Sequence, residues 1–448
     1  MSAPTRAEAP RSDHRMPIRA VASSTIGSVL EYYDFFVFGT LSALVFGKVF
    51  FPNDNPAAAT LLSLATFAVG FVARPLGGVL LGHFGDRLGR KSVLLFTFML
   101  TGGVTLVIGI LPTYHQVGIL APILLVSLRV LQGIGIGGEW SGAALLAVEH
   151  APQERRGLFG SLVQAGAPIG VILSSGSVAV LTGTLGLDQL VAWGWRIPFL
   201  ASALLLIVGI ILRVSVAESP EFEALKARGL KAKVPIWNAI RRYPMQIIAA
   251  MFIHTTDSTL GLLVGVFVLG YASNALGMNP TIVLLANIFS SVTNLIVVPI
   301  AGRLGDKYGQ RRILLVALGL LVLWAFPMFL LISTGSVAAL FVSAGFSGVI
   351  IGLIFSQQAT LFTNYFEPRV RFSGMSLGSQ LGTVLGGGFG PLIAQALTGA
   401  TGGTTWAVSV YIAAIAVIAL IFTAVVKPLT SGATPTAAAH VEAEGLAA

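Results

Sequence analysis

Apolar side chains arrive in long unbroken runs rather than in the alternation of half-buried strands. Twelve such runs can be counted, separated by brief polar or charged turns. A helix of roughly 20 apolar residues crosses about 30 Å of hydrocarbon. The pattern therefore predicts membrane-crossing helices near residues 20–47, 60–82, 92–111, 119–147, 158–181 and 194–216, then near 244–272, 280–301, 313–333, 336–358, 372–398 and 405–426.

The turns carry a repeat. Gly82-His-Phe-Gly-Asp-Arg-Leu-Gly-Arg-Lys91 returns as Gly302-Arg-Leu-Gly-Asp-Lys-Tyr-Gly-Gln-Arg311 about 220 residues later, each time between two apolar runs. Two homologous halves follow, each with a charged glycine-rich hairpin on the same side. The chain divides into a tail (1–19), a six-helix bundle (20–217), a connector (218–243), a second bundle (244–427) and a tail (428–448). The connector is charged and is expected to hold a short amphipathic helix at the membrane surface. The last tail, rich in Ala, Thr, Gly and Pro, is expected to be disordered.

Composition agrees with this reading. Of 448 residues 55% are hydrophobic and 10% charged, far too apolar for a soluble core. A net charge of +9 raises the question of nucleic acid. However, about 23 of the 27 Lys and Arg fall in the tails, the connector and alternate loops, the bias expected of cytoplasmic faces, and no nucleic-acid partner is expected. Both termini are then cytoplasmic, in a plasma (inner) membrane protein that acts as a monomer. The first twenty residues lack an apolar core and cleavage site, so no removed signal peptide is expected. Cysteine is absent, which excludes disulfides, thiolate metal sites and Cys nucleophiles.

Two motif matches fail on context. Gly133-Ile-Gly-Ile-Gly137-Gly138 fits a dinucleotide fingerprint but lies inside an apolar run after no strand; its glycines at 133 and 137 instead offer a face for close helix packing. The hairpin at Gly85 has the wrong spacing for a phosphate loop. No metal and no cofactor other than the coupling proton is expected.

Several motifs together resemble the major facilitator superfamily and, within it, the metabolite:proton symporters. They are Leu30-Glu-Tyr-Tyr-Asp-Phe-Phe36, Arg74-Pro-Leu-Gly-Gly78 leading into the first hairpin, Arg129 to Trp140, and Trp195-Arg-Ile-Pro-Phe199. Glu149-His-Ala-Pro-Gln-Glu-Arg-Arg-Gly157 resembles the shikimate-type branch. The resemblance implies an all-α fold of twelve transmembrane helices in two pseudo-symmetric halves that rock about a central site. Its cargo in that group includes shikimate, 2-oxoglutarate, citrate, and proline or betaine.

Charged groups inside apolar runs are costly, about 2.5–3.5 kcal/mol each at a helix centre, and should meet around a wet cavity. Here they are Glu31, Asp34, Arg74, Arg129, Glu139, His254 and Asp257. At 1.5 Å per residue, Asp34 stands about 20 Å along the first helix and Arg129 about 15 Å along the fourth, which runs the other way. They are expected to meet and form the proton-coupling pair, Arg129 exchanging Asp34 for a substrate carboxylate while a proton neutralises Asp34. A static ion pair is the competing reading. Glu31 shares a face with Asp34 and could tune that pair, take a proton itself, or bind Arg74. Substrate contacts are expected from Tyr33, Arg74, Arg129, Gln164, His254, Asp257, Asn287, Asn294 and Gln357, with Asp257 keeping its helix neighbour His254 cationic.

A cytoplasmic gate is expected from Asp86, Arg87, Arg90, Glu139, Glu149, Arg155 and Arg156, with Asp306, Lys307, Arg311 and Arg371 as a smaller matching set. The function this points to is proton-coupled import of a small organic anion, a monocyclic or dicarboxylic acid. Alternatives are a proline- or betaine-type zwitterion symporter and a proton-antiport exporter. No constellation for an enzyme is found in the sequence.

Overall fold

In the computed structural model the apolar runs become helices, and no strand occurs among the described residues, 15–77, 90–137, 139–214, 236–367 and 370–429. In chain order the spans are α1 (Arg15–Leu41), α2 (Pro56–Val72), α3 (Arg90–Gly109), α4 (Leu120–Ile136, resuming at Glu139–His150), α5 (Arg156–Gln164 and Gly166–Gln189) and α6 (Arg196–Val214). The second half has α7 (Pro244–Leu262, continuing to Val268–Asn274), α8 (Pro280–Tyr308), α9 (Gln310–Ser333), α10 (Val337–Tyr365), α11 (Arg371–Gly382 and Gly390–Ala400) and α12 (Trp406–Val425). Among the described residues, ten helices are long and apolar enough to cross a membrane, and two shorter apolar ones, Leu95–Gly109 and Arg196–Ile211, bring the number to twelve.

The halves repeat in detail. α2 and α8 both open on an Asn-Pro pair: the Asn55 side chain accepts from the Ala57 amide at 3.0 Å, and Asn279 from Thr281 at 2.9 Å, while the proline starts the helix where no donor is needed. α1 and α7 each widen into a π-helical stretch, Ser42–Phe46 and Leu263–Phe267, at the same offset of about 220 residues as the hairpins. These two helices are the enclosed ones: 89% and 83% of their apolar windows are buried, against 33% for α12. Large exposed apolar residues are most frequent on α6, α8, α9 and α12, for example Leu204, Ile296, Leu323, Leu330 and Val425, giving the belt that hydrocarbon would cover.

Within the first half α1 packs on α5 and α6, and α4 on α2 and α3; within the second, α8 packs on α10 and α7 on α11. Across the halves, α5 meets α8 and α2 meets α11. The Trp195 motif belongs to this packing: Trp195 is fully buried against Phe46 and Phe50, and the Tyr33 hydroxyl donates to the Pro198 carbonyl at 2.8 Å, pinning α6 to α1.

Three expectations about elements change. The fourth helix is interrupted at Gly137, whose ψ of 104° leaves the helix, so Gly137 breaks the span, while Gly133 makes a close approach to Gly70 and Ala73. The polar turn expected between the fifth and sixth runs, around Leu187, is helical, with Gly186 at φ 76° turning the chain. The second hairpin is not a loop. α8 runs on to Tyr308 and the turn shrinks to Gly309 at φ 92°, which puts Gly302, Asp306 and Lys307 on the last turns of a helix. Of the connector, Ile236–Arg242 is helical; its remainder, the first hairpin from 78 to 89 and the tail beyond 429 lie outside the described residues.

Candidate functional site

Between the halves lies a cavity enclosing about 960 Å³ of atom-free space, its openings included. Its first-half wall holds Glu31, Tyr32 and Phe35 from α1, Phe71 from α2 with Arg74 just beyond its end, and Trp140 from α4. The second-half wall holds His254 and Asp257 from α7, Asn287 and Asn294 from α8, and Gln380 from α11. Polar groups that a helix would normally shed into water are thus gathered in one place.

Among the described residues, Arg74 is the one arginine lining the cavity. Its guanidinium stands 4.0 Å from the Phe35 ring centre and 4.7 Å from that of Phe71. Nη2 lies 3.3 Å from Glu31 Oε1, close enough for an ion pair yet without hydrogen-bond alignment, and Nε has no acceptor. The rings hold the cation in place. Its Nε and Nη2 remain without a hydrogen-bond acceptor beside the cavity.

Asp34 and Arg129 lie behind this wall and differ from the expected direct pair. Both are buried, but no ion pair joins them among the described residues. Instead Arg129 Nη1 donates to Gln132 Oε1, Gln132 Nε2 to Thr105 Oγ1 at 2.8 Å, and Thr105 Oγ1 to Asp34 Oδ2 at 2.8 Å. The arginine is drawn to the Phe38 ring, 4.0 Å from its centre, and to the Phe67 carbonyl at 3.3 Å, which leaves Asp34 to be reached through two neutral side chains. Arg129 does not line the cavity, so the same residue is not in place for a substrate carboxylate here.

Other expected contacts divide. His254, Asp257, Asn287 and Asn294 line the cavity; Tyr33, Gln164 and Gln357 do not. Tyr33 is used on Pro198, with its neighbour Tyr32 facing inward. Gln164 accepts from Trp140 Nε1 at 2.9 Å, and Gln357 donates to the Ala301 carbonyl at 2.9 Å, tying α10 to α8. The expected Asp257–His254 pair is replaced by a different set: His254 Nδ1 lies 2.7 Å from Gln358 Oε1 and Nε2 2.9 Å from Thr383 Oγ1. Sequence reasoning missed Thr105, Gln132 and Gln358. Gln132 could have been found three residues after Arg129 on the same helix face; Gln358, next to Gln357, faces a different neighbour because one residue turns a helix by about 100°.

Three of the charges expected to form a gate reach helix ends. Asp306 accepts from the Gly157 amide at 2.6 Å and the Leu158 amide at 2.9 Å, holding the first turn of α5 to the last turn of α8. Arg311 donates to the Thr423 carbonyl at 2.8 Å and to the Ala424 carbonyl at the end of α12, and Arg371 donates to the Phe366 carbonyl at 3.4 Å. Free amides and carbonyls at helix ends attract charged groups such as these. Arg155, Arg303 and Lys307 surround Asp306 in a shallow groove on that face, and the Arg156 carbonyl accepts from Thr360. Asp86 and Arg87, and the side chains of Arg90, Glu139 and Glu149, lie outside the described residues.

Both ends of the cavity are bridged. Ser141 and Ser379 hydroxyls are 3.2 Å apart, and nearer the opposite end Asn287 Nδ2 donates to Ser175 Oγ at 2.9 Å while the Thr182 and Thr281 hydroxyls are 2.9 Å apart. Twelve helices around a central polar cavity shared by two halves, with seams on either side, describe a carrier fold. A family model described as Major Facilitator Superfamily matches residues 24–371 and 247–444. The chain belongs to the major facilitator superfamily. It is a multi-pass membrane transporter. It is 38% identical over 408 residues to the inner membrane metabolite transport protein YhjE of Escherichia coli (strain K12), covering 90% of this chain and 92% of that one. To the shikimate transporter of the same strain it is 37% identical over 399 residues, 88% and 91% of the two chains, and to its proline/betaine transporter 30% identical over 439 residues, 95% and 87%. Among solved structures, the partially occluded inward open conformation of the xylose transporter XylE from E. coli superposes with a TM-score of 0.72 at 19% identity, over 93% of this chain and 99% of that one, which speaks for the fold alone.

Proposed function

We propose that this transporter couples the entry of a small organic anion to that of a proton, by alternating access around the central cavity. The observation that carries the reading is the loosely aligned Arg74–Glu31 ion pair on the cavity wall, 3.3 Å apart, with Arg74 Nε still lacking an acceptor. An incoming carboxylate suits this guanidinium better than a misaligned Glu31 does, since a planar fork favours bidentate contact. Once Arg74 turns to the substrate, its hold on the Glu31 carboxylate weakens and proton uptake there is favoured. A proton on Glu31 restores neutrality, so anion and proton load together. Asp34, one turn further along α1, and Arg129 at the end of the Thr105–Gln132 chain complete the coupling set. Tyr32, His254, Asp257 and the cavity amides orient the cargo. The face carrying Arg155, Arg303 and Lys307 is the cytoplasmic one, with both termini, and the membrane is the bacterial inner membrane.

Asp306 at the α5 amides, together with the first hairpin, closes that face in the outward-facing half of the cycle. Relatives named for shikimate and for proline and betaine lend weight to an organic acid or zwitterion as cargo. In proteoliposomes, a unit of inwardly directed pH gradient should sustain about tenfold accumulation of a monoanion carried with one proton, from about 1.4 kcal/mol. Collapsing the membrane potential should leave that figure unchanged; a zwitterion would lose about 2.3 kcal/mol of drive per 100 mV. Glu31→Gln and Asp34→Asn should each abolish uphill uptake while sparing exchange. Accumulation that survives both substitutions would remove the proposal.

A further inference from the structure

The two cavity walls are chemically opposite. On the first-half wall the group lacking a partner is a donor, Arg74 Nε. On the second-half wall three buried acceptors, from three different helices, lack any hydrogen-bond partner: Asp257 Oδ1 of α7, Asn294 Oδ1 of α8 and Gln380 Oε1 of α11. Asp257 is 7% exposed, Asn294 8% and Gln380 5%. Leaving a buried acceptor unsatisfied costs about 1–3 kcal/mol each, so the cargo is the natural partner for them.

We infer that the cargo is a monocarboxylate whose far end carries several hydrogen-bond donors, hydroxyl or ammonium, and that Asp257, Asn294 and Gln380 select it against dicarboxylates. The inference rests on the organic-anion reading above and refines it. A carboxylate at Arg74 places the remainder of a small ring against the second half, where a second carboxylate would meet an acidic side chain and two amide oxygens. A donor-bearing end satisfies the same three groups. Because the two ends of the molecule bind different halves, both sets of bonds form only when the halves are closed on it. Phe35, Phe71 and Trp140 supply apolar surface for the ring between them.

The full-length protein in nanodiscs can be titrated with four matched probes by calorimetry: cyclohexanecarboxylate, 3,4,5-trihydroxycyclohexanecarboxylate, trans-4-aminocyclohexanecarboxylate and trans-1,4-cyclohexanedicarboxylate. A donor-bearing probe should bind at least about tenfold tighter than the bare ring acid, the effect of one charge-assisted hydrogen bond, and the dicarboxylate weakest. Whichever of hydroxyl and ammonium wins identifies the donor. Asp257→Asn should shrink that preference and improve dicarboxylate binding, and Asn294→Leu, which changes no charge, should shrink the preference alone. Tightest binding by the dicarboxylate, or equal binding of bare and donor-bearing rings, would overturn the inference and leave organic-anion transport standing. Binding by none of the four would overturn both.

Discussion

Gly70 shows how much a single missing side chain decides. A Cβ there would lie 2.7 Å from Arg129 Nη2 and 2.9 Å from Cζ, so the guanidinium occupies the space that any other residue would fill. Gly70→Ala should push Arg129 off the Phe38 ring and out of its bond to Gln132. Overpacking of this kind costs about 1–3 kcal/mol. Since Arg129 does not line the cavity, cargo affinity should stay within about twofold of wild type while uphill uptake fails. A thermal melt beside a binding titration and an uptake assay separates the two effects, and unaltered accumulation would mean that the seat of Arg129 does not matter. At this scale the sequence was a partial guide. Charge inside an apolar run marked Glu31, Asp34, Arg74, Arg129, His254 and Asp257 as belonging to the interior, and all of them are on or directly behind the cavity wall. Which partner each takes was not legible, because Thr105, Gln132, Gln358 and Thr383 are neutral residues common in any helix, and only the packing of α3 against α4 or α10 against α7 selects them.

Helices α5 and α8 carry the seam between the halves along much of their length. At one end Asp306 takes two amides of α5, with Gly157 and Gly302 allowing the backbones to approach; further along, Asn287 reaches Ser175, and at the other end Thr182 meets Thr281. The chain has no cysteine, which makes this seam open to a clean test. Thr182→Cys combined with Thr281→Cys should form a disulfide under mild oxidation, stop transport, and regain it on reduction, while each single variant remains active; hydroxyl oxygens 2.9 Å apart place the paired thiols within reach. Full transport by the oxidised double variant would show that this end of the seam never parts. Apolar run lengths foretold most elements to within a few residues, as at α7, α9 and α12. They failed where glycine acts: Gly137 breaks α4, Gly186 turns a helix that was read as a loop, and Gly309 alone replaces a ten-residue hairpin. Run length measures how much apolar surface there is, and says nothing of one backbone torsion.

Across the whole molecule the repeat is the most legible feature. The hairpins, the Asn-Pro starts of α2 and α8, and the π-helical stretches of α1 and α7 all keep the offset of about 220 residues. The polar interior does not follow it. The first half supplies both cavity-side and hidden arginines, the second only amides, a histidine and an aspartate, so cargo must be held by two unlike surfaces. That asymmetry is the reason a symmetric scaffold can tell one end of a molecule from the other.

Asp306 has a last consequence. Its two oxygens are the acceptors for the Gly157 and Leu158 amides, so parting the helices there strands two donors and a carboxylate that only incoming water can satisfy. Opening on that side is a hydration event as well as a rotation. Polyethylene glycol too large to enter the crevice should therefore slow it as osmotic pressure rises, a dependence that stopped-flow fluorescence can follow and that Asp306→Ala should blunt.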